Sequence, residues 1–261
     1  MLQTLINLVI ESFHTHSIAF FIFAFTSVVF VGISKSGFGA GLGVLSLPLM
    51  ASQSTLNEAL AVLLPLLIAI DLVGIRRFIK NADWRILKLI LPAGFVGLLL
   101  GMIFFTVITP KDLTLFVGIF IMLFLIQMLV TSHFDLREAK PYPWLGRLMG
   151  LMSGFTGFVA HNGGPPITIF MLREKLLPMV YTSTLGIFFT FINFGKLGPY
   201  AYLDLLDFKQ LATSVILLPC VPVGVYLGFY LAEKISKKWY YRIVQLFLLI
   251  ASVKFISDGL M

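Results

Sequence analysis

Charge is scarce in this chain: 12% of its 261 residues are Asp, Glu, Lys or Arg, about half the share of an ordinary soluble domain. Cysteine is scarcer still. Cys220 stands alone, which excludes an intrachain disulfide and any thiol-rich metal site. The sequence contains no G-x-S-x-G, no H-E-x-x-H, no P-loop and no paired intramembrane aspartates. An enzyme therefore has no motif to rest on, a built-in ATP motor has no phosphate cradle, and neither metal nor cofactor is implied. The amino-terminal stretch lacks a basic region and a small-residue cleavage site, so the apolar run from Ser17 to Ile33 reads as retained. Long polar insertions are missing too. The longest loop, Thr131 to Pro143, is too short for an interaction module, which disfavours a membrane scaffold or sensor.

What is present is apolar surface. Hydrophobic residues make up 59% of the chain, and the mean hydropathy is +0.99. Apolar runs of about 18 residues or more recur along the length, the mark of an all-α polytopic membrane protein embedded in a lipid bilayer. The runs fall near 17–34, 39–52, 57–79, 85–107, 112–131, 144–160, 165–171, 179–200, 208–231 and 239–256, with 39–52 and 165–171 too short to cross. About eight membrane segments follow. The net charge of +7 lies mostly in short loops between these runs. That is the positive-inside pattern and not a nucleic-acid-binding face. Trp84, Trp144, Trp239, Tyr240 and Tyr241 sit at span ends and read as interface anchors.

The chain repeats itself. Ser36-Gly37-Phe38 precedes Pro48 as Ser153-Gly154-Phe155 precedes Pro165, and Pro92, Gly97 and Gly101 match Pro219, Gly224 and Gly228 at the same spacing. Two homologous halves result: a first repeat over 1–131, a cytoplasmic linker over 132–143 and a second repeat over 144–261. Arg76, Arg77, Lys80, Arg85 and Lys88 mark one cytoplasmic loop, and Lys234, Lys237, Lys238 and Arg242 mark another. The equivalent positions in the opposite half are acidic or neutral, so the halves read as inverted. Each half opens with a helix interrupted by glycine or proline, and such breaks at membrane depth point to the binding site of a secondary transporter. Irregular backbone there has to be buried in protein, so the two breaks are expected to meet inside the molecule. Pro92 and Pro219 are expected to kink their helices.

The breaks supply the candidate substrate-binding residues. In the first, Gly37, Gly39 and Gly41 allow close approach, Ser36 is placed to cap a short helix, and Lys35 adds charge or snorkels to the interface. In the second, no helix runs through His161-Asn162-Gly163-Gly164-Pro165-Pro166. A new helix starts near Gly164, with Asn162 or Gly164 near its cap, and His161 can donate to an oxyanion or take up a proton. A helix amino-terminus facing the interior is a ready anion site. Asp71 lies inside an apolar run, as a proton carrier or a structural partner of Lys35 or of Arg76 and Arg77. Asn193 shares a face with Thr190 and Lys196 and is the better cavity residue, with Lys196 placed to snorkel.

The stretch Gly32 through Pro48, together with Phe158 through Pro166, resembles the paired signatures of the sulfite exporter TauE/SafE family, and the resemblance extends over nearly the whole chain. It implies a multi-pass transporter of the bacterial-type inner membrane, with members linked to sulfite or small organosulfur anions. The reading is a secondary transporter of a small anion by alternating access at paired broken helices, with Asp71 and His161 as proton-coupling candidates. The alternatives are a passive anion channel and a non-transporting scaffold. A homodimer is the one further association considered.

Overall fold

The computed structural model describes residues 10–38, 42–131, 142–234 and 237–261. Among these the chain is helical, with no strand. After a helical stretch at 10–15, α1 (Ile18–Ile33) continues into a π-helical turn (Ser34–Phe38). A 3-10 turn (Leu42–Leu45) leads to the short α2 (Ser46–Ala51). Then follow α3 (Leu56–Asn81), α4 (Trp84–Val107), α5 (Pro110–Thr131), α6 (Pro143–Ala160) and α7 (Gly164–Arg173). The chain closes with α8 (Pro178–Tyr202), α9 (Phe208–Leu217), α10 (Cys220–Lys234) and α11 (Lys237–Leu260). Every apolar run read from the sequence carries helix. The expected linker lies almost wholly outside the described residues.

Local chemistry sets the ends. Ser17 accepts from the Phe20 N–H at the start of α1. Asp83 accepts from the Arg85 and Ile86 N–H groups at the start of α4, and Asp207 accepts from Phe208 N–H at the start of α9. Trp84 and Trp144 stand exposed in the first turns of α4 and α6. Of the two matched prolines, Pro92 lies inside an unbroken α4. Pro219 separates α9 from α10, which bend by 49°.

Four helices of the described residues are long and apolar enough to cross a bilayer: Ile18–Ser36, Leu56–Arg76, Trp84–Val107 and Pro110–Val130; the bent α9–α10 pair makes a fifth. The 25-residue α8 has the length but carries Asn193, Lys196 and several hydroxyls. On α4, Phe95, Val96, Leu99, Leu100 and Ile103 are exposed while Gly94, Gly97, Leu98 and Gly101 are buried. Large apolar side chains outward and small ones inward is the arrangement of a helix whose solvent is lipid.

The chain forms two compact units, one of 1–70 with 197–242 and one of 71–196 with 243–261. Neither follows the sequence halves, because each takes elements from both. In the second unit α4, of the first half, packs along α6, the opening helix of the second half. In the first unit α10, of the second half, packs along α1, the opening helix of the first. The repeated glycines make both contacts. A Cβ on Gly97 would run into the Leu151 carbonyl, and one on Gly154 into the Gly94 carbonyl. In the first unit a Cβ on Gly32 would lie 2.7 Å from the Gly224 backbone, and one on Gly224 would lie 2.9 Å from Val29 Cα. The backbones touch, so any larger residue has to push the helices apart.

Gly154→Ala is therefore predicted to destabilise the purified protein by about 1–3 kcal/mol, as overpacking does, seen as a lower Tm in detergent. Gly198→Ala, whose Cβ meets nothing within 4 Å, serves as the helical control and leaves Tm unchanged or slightly raised. Equal melting of the two variants would refute backbone contact at Gly154.

Candidate functional site

The second break is built from its own backbone outward. α6 ends at Ala160, and His161 turns into the left-handed region with φ 52° and ψ 21°. For a residue with a side chain this costs about 1–2 kcal/mol. The Thr156 carbonyl accepts the N–H groups of both His161 and Asn162, which holds the turn. Gly163 then caps α7, with Pro165 and Pro166 in the first turn. The cap falls between Asn162 and Gly164, the two residues expected near it. Ser153 reaches across from α6 and donates its hydroxyl to the Gly163 carbonyl at 2.5 Å. A Cβ on Gly163 would lie 2.5 Å from the Ser153 carbonyl, so only glycine lets α7 start this close to α6. The prolines carry no N–H, so the positive end of α7 presents few backbone donors.

Asn162 is 5% exposed, and its side-chain Nδ2 has no hydrogen-bond partner among the described residues. An unspent donor buried beside a helix amino-terminus is costly to leave unused. It is available to a ligand.

A chain of buried polar side chains ends at the same break. Asn193 on α8 donates Nδ2–H to Asp71 Oδ2 of α3 at 2.7 Å. Lys196, one turn on, donates to Asn193 Oδ1 at 3.0 Å. Lys196 Nζ also lies 3.1 Å from His161 Nδ1. Asp71 and Lys196 are each 1% exposed and Asn193 is 3% exposed. The amide works in both directions, donating to the carboxylate and accepting from the ammonium, so one negative and one positive charge are joined without touching. With Lys196 protonated, His161 Nδ1 accepts, and the neutral ring carries its proton on Nε2.

The structure thus brings Asp71, His161 and Asn193 together, and adds Lys196. The buried Lys196 contradicts the expectation that it snorkels. Asp71 takes the amide of Asn193 as partner, a pairing the sequence did not indicate. The i, i+3 spacing of Asn193 and Lys196 was the available signal, and the position of Lys196 near the helix end obscured it.

The first break is different in kind. Lys35, Ser36 and Gly37 lie in the π-helical turn that prolongs α1, in the other compact unit. Lys35 is half-buried. Ser36 does not cap a new helix: its hydroxyl donates to Gly32 O at 2.6 Å, with Val225 O of α10 at 3.1 Å. Ser36 and Ser153, equivalent in the repeat, both spend their hydroxyls on backbone carbonyls. Gly39 and Gly41 lie outside the described residues.

Residues 24–255 match the family described as Sulfite exporter TauE/SafE. The chain belongs to that family, a family of membrane transporters of sulfur-containing anions, and it is an integral membrane protein. No curated protein and no solved structure matches the chain.

Removing one charged member of a buried, hydrogen-bonded relay is costly, at about 3–5 kcal/mol, whereas replacing both charges with uncharged groups is milder. Asp71→Asn and Lys196→Met are each predicted to lower Tm in detergent, and the double variant to recover most of the loss. A double variant destabilised by the sum of the singles would show that the two charges are not coupled through Asn193.

Proposed function

We propose that this protein is a secondary transporter of a small anion, sulfite or a small organosulfur anion, bound at the second break. The observation that carries the reading is the buried Asn162 donor without a partner, beside the amino-terminus of α7 and the Lys196–His161 contact. The family supports a sulfur-containing anion. In this reading Asn162 Nδ2 and the Gly163 and Gly164 N–H groups donate to the anion oxygens. His161 borders the site, and the Lys196 ammonium supplies charge from behind. Such a constellation is rare at membrane depth without a functional reason.

The protein is placed in a bacterial-type inner membrane, with about eight segments in two inverted halves that exchange access between the faces. The exchange of α4 and α10 between the repeats supports the homology of the halves, since equivalent helices make equivalent contacts. Lys35, Ser36 and Gly37 hold the corresponding place in the first half. The absence of a P-loop points to a gradient as the energy source.

The test is flux of sulfite, sulfonates, sulfate and carboxylates into proteoliposomes of the purified protein. Saturable, selective flux of a sulfur-containing anion is expected. Asn162→Ala should raise the half-saturation concentration about 3- to 10-fold, the equivalent of one neutral hydrogen bond. Lys196→Met should cost about 10- to 100-fold. No flux of any anion by folded, inserted protein would refute the transport reading.

A further inference from the structure

We propose that the paired starts of α4 and α6 seat an anionic phospholipid, its phosphate held between Lys88 and Arg147. The proposal needs only that the chain lies in a bilayer, and it is independent of the anion site above. The two helices run parallel and in register. A Cβ on Gly150 would meet the Ile90 carbonyl, and one on Gly154 would meet the Gly94 carbonyl. Continued back to the helix starts, that register sets Trp84 level with Trp144 and Lys88 nearly level with Arg147. Trp84 and Trp144 are both exposed, as rings at the headgroup level of a bilayer are.

Lys88 follows Trp84 by four residues and Arg147 follows Trp144 by three, so each cation shares a helix face with its ring. Each stands about 4–6 Å farther along its helix, on the bilayer side of the ring. Both side chains are exposed. Deeper still, large apolar side chains are exposed on both helices: Phe95 and Leu99 on α4, Leu148 and Met152 on α6. A cation at this depth lifts its head toward the interface along its own stem. The charge it meets there is lipid phosphate, and the apolar faces below offer a bed for the acyl chains.

The protein does not answer these two charges itself. In the stretches 83–107 and 143–175 the acidic residues are Asp83 and Glu174. Asp83 caps α4, accepting from the Arg85 and Ile86 N–H groups. Glu174, in the turn after α7, takes the Arg85 guanidinium at 2.9 Å, and the Asp83 carboxylate lies 3.8 Å from the same group. Among the described residues Lys88 and Arg147 form no ion pair. Phe170 of α7 stands against Gly146, so the turn after α7 lies at the same end as the start of α6. That turn adds the exposed Lys175. Arg173, whose buried Nε has no hydrogen-bond partner among the described residues, adds another cation. Loop charge reads this end as cytoplasmic, and the cytoplasmic leaflet is the one with a negative surface.

The test is thermal unfolding of the purified full chain in an uncharged detergent. Phosphatidylglycerol, phosphatidylcholine with the same acyl chains, or inorganic phosphate is titrated in. Phosphatidylglycerol is expected to raise Tm saturably, and the other two to leave it unchanged. Lys88→Gln and Arg147→Gln should each raise the half-saturating phosphatidylglycerol concentration about 5-fold, and together about 25-fold, as the loss of one surface cation each near an anionic lipid. Both positions are exposed, so Tm without lipid should match that of the unaltered chain. Lys88→Arg and Arg147→Lys keep the charge and should keep the binding. Lys111→Gln removes an exposed cation at the start of α5, beyond the far end of α4, and should also keep it. Equal Tm shifts from phosphatidylcholine, or no shift from phosphatidylglycerol, overturn the proposal. A shift from inorganic phosphate alone overturns the lipid as occupant. Full phosphatidylglycerol binding by the double glutamine variant, or an equal loss in Lys111→Gln, overturns the assignment of the seat to Lys88 and Arg147.

Discussion

Hydrocarbon answers no hydrogen bond, so every polar group at an interrupted helix has to be answered by the protein. The second break shows how far this reaches. Thr156 takes the two N–H groups that the end of α6 releases, and Ser153 satisfies the Gly163 carbonyl at the start of α7. The prolines that follow remove N–H groups that would otherwise need partners. Lys196 fixes the His161 ring. What remains at the break after these satisfactions is the Nδ2 of Asn162, without a partner among the described residues.

That closure demands that α6 sit tightly among its neighbours, and the glycines make this so. Backbone meets backbone between α4 and α6, and again between α1 and α10. These contacts leave no room for adjustment by side chains, which gives each compact unit a rigid spine. They also explain why the repeat shows itself most clearly in glycine and proline. Close packing tolerates almost nothing else there, whereas the lipid-facing positions accept any large apolar residue.

The buried relay adds a different kind of constraint. Asp71, Asn193, Lys196 and His161 come from α3, α8 and the end of α6, and they bury a carboxyl and an amino group joined through an amide. A structural purpose alone would be served as well by apolar residues of similar size. The relay ends at the break, where Lys196 meets His161.

Sequence by itself determined the helical membrane class, the element boundaries to within a few residues, the repeat and the break at His161–Gly164. All of these depend on local properties: the length of apolar runs, missing N–H groups and backbone freedom. Tertiary structure decided which polar residues act together. Asp71 and Asn193 are 122 positions apart, and nothing local announces that an amide of one helix will face a carboxylate of another. The same holds for Lys196, whose place near the end of α8 suggested the interface until packing buried it against His161. Ser36 shows the reverse case. Its position in a glycine-rich signature suggested a ligand, and the neighbouring carbonyls of Gly32 and Val225 claimed its proton. Whether a polar side chain is spent on its own fold or left for a ligand depends on which acceptors surround it, and only the folded chain determines that.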